Sequence, residues 1–346
     1  MRIAVIGGGI AGAMLAHRLH QLAGRADLTV FAGPVGHPAD ATSASGGMVR
    51  GFETAAEECR LAAESLAELR GSAWFRQAGD YREIGSVYLL RPGEDPTALL
   101  AHVELLLPGS AEVEPAEAVA RRLGLRGLPA GALAVVERRA GYMSPALLRS
   151  CVLDQLTATG VRITDAEVLQ VTARAGVLLA DGGSAAFDLV VVAAGAWTPA
   201  LLPGVDGLRT KRIQYGVYGL EVPGLGIFAD ENSGLYGRPH GAGALLLGQA
   251  TEDWDVIPGQ VRPAPQLATR ATAAARRFLP AAQHLRAPQR LCASFDCYPA
   301  SGGLRLRAVP DSPQVFTFTG GSGGAAKTAL AASRRAAQRL LGLSPD

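Results

Sequence analysis

The sequence predicts an α/β fold, with a Rossmann-like strand–turn–helix at its start and an antiparallel sheet in its second half. Three observations carry the prediction. Arg2–Ile6 is a short apolar, β-branched run leading into Gly7-x-Gly9-x-x-Gly12 and a helical stretch over 13–22. A continuous apolar run over 188–194 fits a strand buried on both faces of a parallel sheet. Between 211 and 249, alternating segments recur with Gly and Pro between them, as antiparallel strands do.

Each glycine of the opening motif has a physical task. Gly7 permits the tight turn, Gly9 lets a pyrophosphate approach the backbone, and Gly12 lets the helix pack closely on the strand. The exposed amides and positive dipole end of that helix, around Ile10 and Ala11, then face the phosphates. A second strand over 28–32 completes the βαβ unit. The acidic residue that commonly ends this strand and grips the ribose is replaced by Ala32.

Further along, 42–48 is a loop of small residues and 53–70 an amphipathic helix. Strands are expected over 83–91 and 132–137. A helix is expected from Tyr142, capped by Ser144-Pro145. Short strands follow over 161–163, 167–173 and 176–179. A helix over 266–279, a strand over 315–319, the turn Gly320-Gly-Ser-Gly-Gly324 and a terminal helix complete the chain. No internal repeat or flexible linker interrupts it.

Composition narrows the function classes. With 346 residues, 48% hydrophobic and 18% charged, the chain suits one large domain or two joined ones. A net charge of +2 with no basic block argues against nucleic acid. Arg334, Arg335 and Arg339 read as the solvated face of the last helix. No run approaches the roughly 18 apolar residues of a membrane span. The apolar N-terminal run is only a strand long, unlike a signal peptide. Cys59, Cys151, Cys292 and Cys297 have no metal spacing and are too few for a disulfide framework, so a reduced, cytoplasmic setting is expected. Abundant Ala, Gly, Arg and Pro with little Lys suggests a GC-rich bacterial genome.

Taken in register, six landmarks resemble the flavin-dependent D-amino-acid oxidase superfamily, in its glycine oxidase and monomeric sarcosine oxidase branch. They are Gly7-x-Gly9-x-x-Gly12, Ser43-Ala-Ser-Gly-Gly-Met48, Gly141-Tyr-Met-Ser144, Val192-Ala-Ala-Gly-Ala-Trp197, Gly234-Leu-Tyr-Gly-Arg-Pro-His240 and the last glycine-rich turn. The resemblance implies FAD, held in a glutathione-reductase-type Rossmann-like domain, with an antiparallel substrate domain inserted. The FAD domain would comprise 1–80, 140–205 and 290–346, and the substrate domain 81–139 and 206–289. It implies cofactor contacts from Gly7, Gly9, Ile10, Ala11 and Gly12, and from Ser43, Ser45, Gly46, Gly47 and Met48. Further contacts fall to Val168, to Ala194, Gly195 and Trp197, and to Gly321, Ser322, Gly323, Gly324 and Lys327. The amides opening the last helix would stabilise negative charge on the reduced flavin.

Flavin amine oxidation asks little of side chains, because the cofactor carries the hard step. In related oxidases an arginine pairs with the substrate carboxylate, its planar fork matching two oxygens. Arg50 lies close to the position of such an arginine in sarcosine oxidases; otherwise it is a surface arginine at a helix start. Tyr236, Arg238 and His240 alternate along one expected strand and so share a face. If that face lines the cavity, they bind a carboxylate and a polar head; if it faces solvent, they are ordinary. Tyr298 lies where relatives place an aromatic near the flavin. Cys297 lies near the cysteine that holds FAD covalently in sarcosine oxidases, though a buried small hydrophobe is the default, so non-covalent FAD is expected. The oxygen-activating lysine of sarcosine oxidases corresponds to Leu246.

The expected activity is FAD-dependent oxidation of the C–N bond of a small amine or amino acid to an imine. Oxygen or another acceptor would take the electrons, and oligomeric state stays open. Two alternatives remain: a flavin dehydrogenase acting on another C–H or N–N group in specialised metabolism, and a flavin-binding protein without catalysis.

Overall fold

The computed structural model describes residues 1–24, 26–33 and 40–343. Its first sheet has six strands in the order Arg305–Val309, Ser312–Thr319, Leu189–Val192, Arg2–Ile6, Asp27–Phe31, Arg162–Thr164. All neighbours run parallel except the outermost pair, Arg305–Val309 and Ser312–Thr319. Ile3, Val5 and Val191 point to one side, into a core shared with the helices Ile10–Ala23, Pro145–Ala158 and Ala325–Leu340. Ala4, Ile6, Val190 and Val192 point to the other, against Val171, Val177 and Phe187. Burial on both faces explains why the 188–194 run is apolar throughout rather than alternating.

The second sheet has eight strands: Arg290–Pro299, Leu208–Tyr218, Leu245–Gln249, Leu235–Pro239, Ile227–Asp230, Ser86–Leu89, Leu133–Glu137 and Ala111–Pro115. Its pairs are antiparallel, apart from Ile227–Asp230 beside Ser86–Leu89. Tyr218, Leu235, Leu245 and Leu247 pack beneath the helix Pro265–Phe278. The intervening residues Tyr215, Val217, Tyr236 and Leu246 form a cluster on the opposite face. That face looks toward the nucleotide-binding sheet, and the site lies between the two.

Several expectations are corrected. Tyr142 does not begin a helix: it pairs with Met48 in a short strand, and the helix starts at Pro145, where Ser144 Oγ accepts the Leu147 amide at 3.2 Å. The expected strand over 83–91 is divided, because Gly85 turns with φ +76° between Arg82–Glu83 and Ser86–Leu89. The helix expected from residue 53 starts at Ala56, because Glu53 is drawn away to Arg50 and Lys327. The helices Ala73–Ala78, Thr97–Leu106 and Ala116–Leu123, and the ten-residue strand Arg290–Pro299, add to the elements expected.

Candidate active site

The strand Arg2–Ile6 delivers the chain to Gly7, whose φ of +116° only glycine adopts easily. A Cβ on Gly12 would lie 1.9 Å from the Gly7 carbonyl oxygen, so helix and turn are in direct contact. A Cβ on Gly9 would meet only Thr42 Oγ1, at 3.3 Å, which leaves open space in front of the backbone there. The Ile10 amide donates to Thr42 Oγ1 at 3.0 Å. No acid lies in the first turn of the helix, and Thr42 Oγ1 brings no formal charge, so its positive end has no charged partner within that turn. These features suit a pyrophosphate.

The loop over 42–48 is fixed from several sides. Asp40 accepts from both the amide and the hydroxyl of Ser43, at 2.7 Å each, and Arg149 approaches it at 3.3 Å. Gly47 has φ +66°, and a Cβ there would lie 1.9 Å from the Met143 carbonyl oxygen. The carbonyl of Gly46 accepts from Arg238 Nε at 2.6 Å. The last glycine-rich turn is anchored in turn to the eight-stranded sheet, since the Ser322 amide donates to the Cys297 carbonyl at 3.0 Å.

These two loops and the inner face of the eight-stranded sheet enclose a cavity of about 340 Å³. Ser45, Gly46, Gly47, Met48, Ser322 and Gly323 line one side, and Tyr215, Tyr236, Asp296 and Tyr298 another. Arg50, Tyr88, Lys211 and Lys327 also reach it.

A family model described as FAD dependent oxidoreductase matches residues 2–339. The chain belongs to that family. FAD is therefore its cofactor, and the positive-φ turn at Gly7 with the open space before Gly9 fits the group. Among solved structures, the fold is similar to L-proline dehydrogenase from P. horikoshii, at 17% identity and a TM-score of 0.83, covering 99% of this chain and 94% of that one. It is also similar to glycine oxidase from Geobacillus kaustophilus, at 20% identity and a TM-score of 0.80, covering 99% and 96%. A third is iminodiacetate oxidase from Chelativorans sp., at 20% identity and a TM-score of 0.75, covering 100% and 96%. No curated protein sequence matches.

Within this FAD-dependent oxidoreductase, the residues expected at the site divide. Ile10, Ser45, Gly46, Gly47, Met48, Arg50, Tyr236, Tyr298, Ser322, Gly323 and Lys327 line the cavity. Gly7, Gly9, Ala11 and Gly12 form the turn and helix end beyond Ile10. Ser43 braces the loop, while Gly321 and Gly324 shape the last turn, the Gly324 amide donating to the Gly321 carbonyl. Val168 and Ala194 share an apolar cluster with Phe31, at the end of the second strand. Gly195 turns with φ +54°, and Trp197, 38% exposed as a residue, packs edge-on against Phe295.

Tyr236, Arg238 and His240, expected to act together only if their shared face lines the cavity, lie in different places. Tyr236 alone lines the cavity. Arg238 is buried beneath the loop, with its guanidinium 4.2 Å from the Tyr142 ring centre. His240 lies past the end of the strand at Pro239, 3.4 Å from Arg290, which lines an adjoining cavity of about 640 Å³ that shares Ala44 and Tyr215 with the first. Burial and the neighbouring guanidinium groups of Arg238 and Arg290 depress the His240 pKa.

Arg50 lines the cavity with its charge already engaged. It pairs with Glu53 at 2.9 Å, donates to the Phe52 carbonyl at 3.1 Å and lies over the Tyr88 ring at 4.7 Å. Lys327 pairs with the same Glu53. Burial works against the Glu53 charge, but Arg50 and Lys327 outweigh it and hold its carboxyl below the usual range.

Sequence reasoning missed Asp296, Tyr215 and Tyr88 at this cavity, and Glu53 as the partner of Arg50 and Lys327. Asp296 left a signal, as a lone carboxylate inside the apolar strand segment Ala293-Ser-Phe-Asp-Cys-Tyr298. Burial pushes its pKa up to about 7. Cys297, its neighbour, faces away from the cavity and is buried, and burial raises its thiol pKa.

Proposed function

We propose that the protein oxidises the C–N bond of a small amine or amino acid to an imine. The observation that carries this reading is the cavity itself, closed by both cofactor loops on one side and by Tyr215, Tyr236 and Tyr298 on the other. When bound there, FAD supplies a hydride acceptor at N5. The chain's own residues exclude water and orient the substrate: the tyrosine rings supply flat apolar walls and the Tyr298 hydroxyl a donor, while the Tyr236 hydroxyl donates to the Gln214 carbonyl at 3.3 Å. Burial raises the Tyr236 and Tyr298 pKa values, so both phenols stay protonated at neutral pH.

In this reading FAD is held without a covalent bond. The Cys297 thiol is turned from the cavity and protonated, which makes it a poor nucleophile. The segments 1–80, 140–205 and 290–346 hold the cofactor, and 81–139 with 206–289 supply most of the substrate side. The strand Arg290–Pro299 serves both, since it pairs with Leu208–Tyr218 and anchors the last turn. Oxygen or another carrier takes the electrons onward.

Anaerobic mixing of the FAD-loaded protein with a panel of amines and amino acids tests this. Bleaching of the oxidised flavin band by at least one compound, with an imine or carbonyl product, is expected. A panel that leaves the flavin oxidised, while dithionite reduces it, removes the reading.

A further inference from the structure

We propose that Asp296 receives the positively charged nitrogen of the substrate, so that the cavity selects an amine held by its cationic end rather than an amino acid held by its carboxylate. This rests on the amine-oxidising reading above and names its substrate class. The first observation is the state of Asp296. It lies in the middle of the strand Arg290–Pro299, lines the cavity, and makes no hydrogen bond or ion pair among the described residues. Its Oδ2 and the Tyr298 hydroxyl both lie 3.3 Å from the point where a Gly323 Cβ would stand. A carboxylate in such a place, partly open to the cavity, loses part of its solvation and gains nothing from the protein in return.

The second observation is the engagement of the cations around the cavity. Arg50 and Lys327 share Glu53. Lys211 lies 3.4 Å from Glu252 and 4.5 Å from the Trp254 ring centre. Arg212 pairs with Asp253 at 2.9 Å and donates to the Arg262 carbonyl at 2.5 Å. Arg238 is committed to the carbonyls of Gly46 and Pro239, outside the cavity. An incoming carboxylate finds each of these cations already holding a partner and must also face Asp296. An incoming ammonium meets an anion that has no partner.

The walls point the same way. Tyr88, Tyr215, Tyr236 and Tyr298 line the cavity, and aromatic faces attract cations. A carboxylate set among tyrosine rings is a site for an alkylammonium group. A bound ammonium and Asp296 neutralise one another, which removes the cost of the isolated charge.

The test uses the FAD-loaded protein, wild type and Asp296→Asn, titrated by calorimetry with benzylamine, pyrrolidine, benzoate and phenylglycine. In the wild type, at least one of the two amines should bind more tightly than benzoate and phenylglycine. Asp296→Asn should weaken that amine by at least about tenfold, as expected for loss of one member of a charge pair, while benzoate binds no worse. Failure of both amines to bind, tighter binding of the carboxylates, or unchanged amine affinity in the variant each overturns the inference. The wild-type comparison stands even if the variant does not fold. Anaerobic flavin reduction by the same compounds separates the two claims. Reduction by phenylglycine that Asp296→Asn leaves intact keeps amine oxidation and removes Asp296. Amine binding that depends on Asp296 without flavin reduction keeps Asp296 and removes the reaction.

Discussion

Lys211 and Asp296 stand directly opposite one another on paired strands, yet the Lys211 ammonium lies 3.4 Å from Glu252 instead. Opposed residues of an antiparallel pair normally bring their Cβ atoms within about 5 Å. Trp254 is what draws the lysine aside: its ring lies 4.5 Å from Nζ, and its indole N–H donates to the same Glu252 at 3.1 Å. The carboxylate is left to the cavity, with Tyr298 on its own strand, Tyr236 three strands away and Gly323 in the last turn.

That arrangement has a signature in stability against pH. With its folded pKa raised to about 7 by burial, Asp296 favours the folded state when protonated. Its contribution is complete below the usual carboxylate range of about 3.9 and is lost as pH rises through 7. Asp296→Asn cannot ionise, so its thermal midpoint should fall less than the wild type's between mildly acidic and mildly alkaline buffer. Parallel midpoint curves would mean that Lys211 swings across and holds the carboxylate ionised.

Glu53 bridges Arg50 and Lys327, and its removal should be costly. Glu53→Gln leaves two buried cations without their anion, a change expected to cost about 3–5 kcal/mol. The Glu53 carboxyl is depressed, so its contribution is present above the ordinary carboxylate range and is lost on acidification. Urea unfolding at neutral pH measures the loss. A variant as stable as the wild type would show that the three charges are solvated rather than interdependent.

Gly12→Ala should empty the cofactor site without touching the cavity. Its Cβ would fall 1.9 Å from the Gly7 carbonyl oxygen and 3.3 Å from the Ala193 Cβ, so the turn must shift away from the helix end. The purified variant should carry much less FAD than the wild type, measured as the ratio of flavin to protein absorbance. Full occupancy would place the dinucleotide elsewhere.

The nucleotide-binding half was legible because its constraints are local. A strand, three glycines and a helix must follow one another within a dozen residues, and a doubly buried strand must be apolar throughout. The substrate side was legible only as alternation. Alternation placed Tyr236 and Arg238 on one face, but not how far along the sheet the cavity extends, and it ran past the strand end to His240. Asp296 and Tyr215 are brought together by pairing across residues far apart in sequence, through the register that sets Tyr215 against Cys292 and Lys211 against Asp296. Arg50 was expected at the site and lines the cavity, but its engagement was not legible, since Lys327 reaches the shared Glu53 from the far end of the chain.

The last prediction concerns oxygen. A positive charge close to the flavin speeds electron transfer to oxygen, because it stabilises the anion that develops. The position that the sarcosine oxidase resemblance gives to a lysine is Leu246, fully buried among Tyr215, Val217 and Tyr236. Most other cations near this region are engaged or uncharged. Arg50 and Lys327 both hold Glu53, Lys211 lies against Glu252 and Arg212 against Asp253, and the depressed pKa of His240 leaves it uncharged at neutral pH. Arg238 remains, with no carboxylate partner among the described residues, clamped on the Gly46 carbonyl at 2.6 Å. Reoxidation of the photoreduced protein should therefore depend on Arg238 and fall in Arg238→Met. Leu246→Lys should speed it, more so as pH falls, because an apolar cluster beside Arg238 lowers a lysine's pKa and the lysine is charged only below it. Stopped-flow mixing with aerated buffer measures both. Rapid reoxidation that Arg238→Met leaves unchanged would show that local positive charge does not govern the reaction with oxygen in this protein.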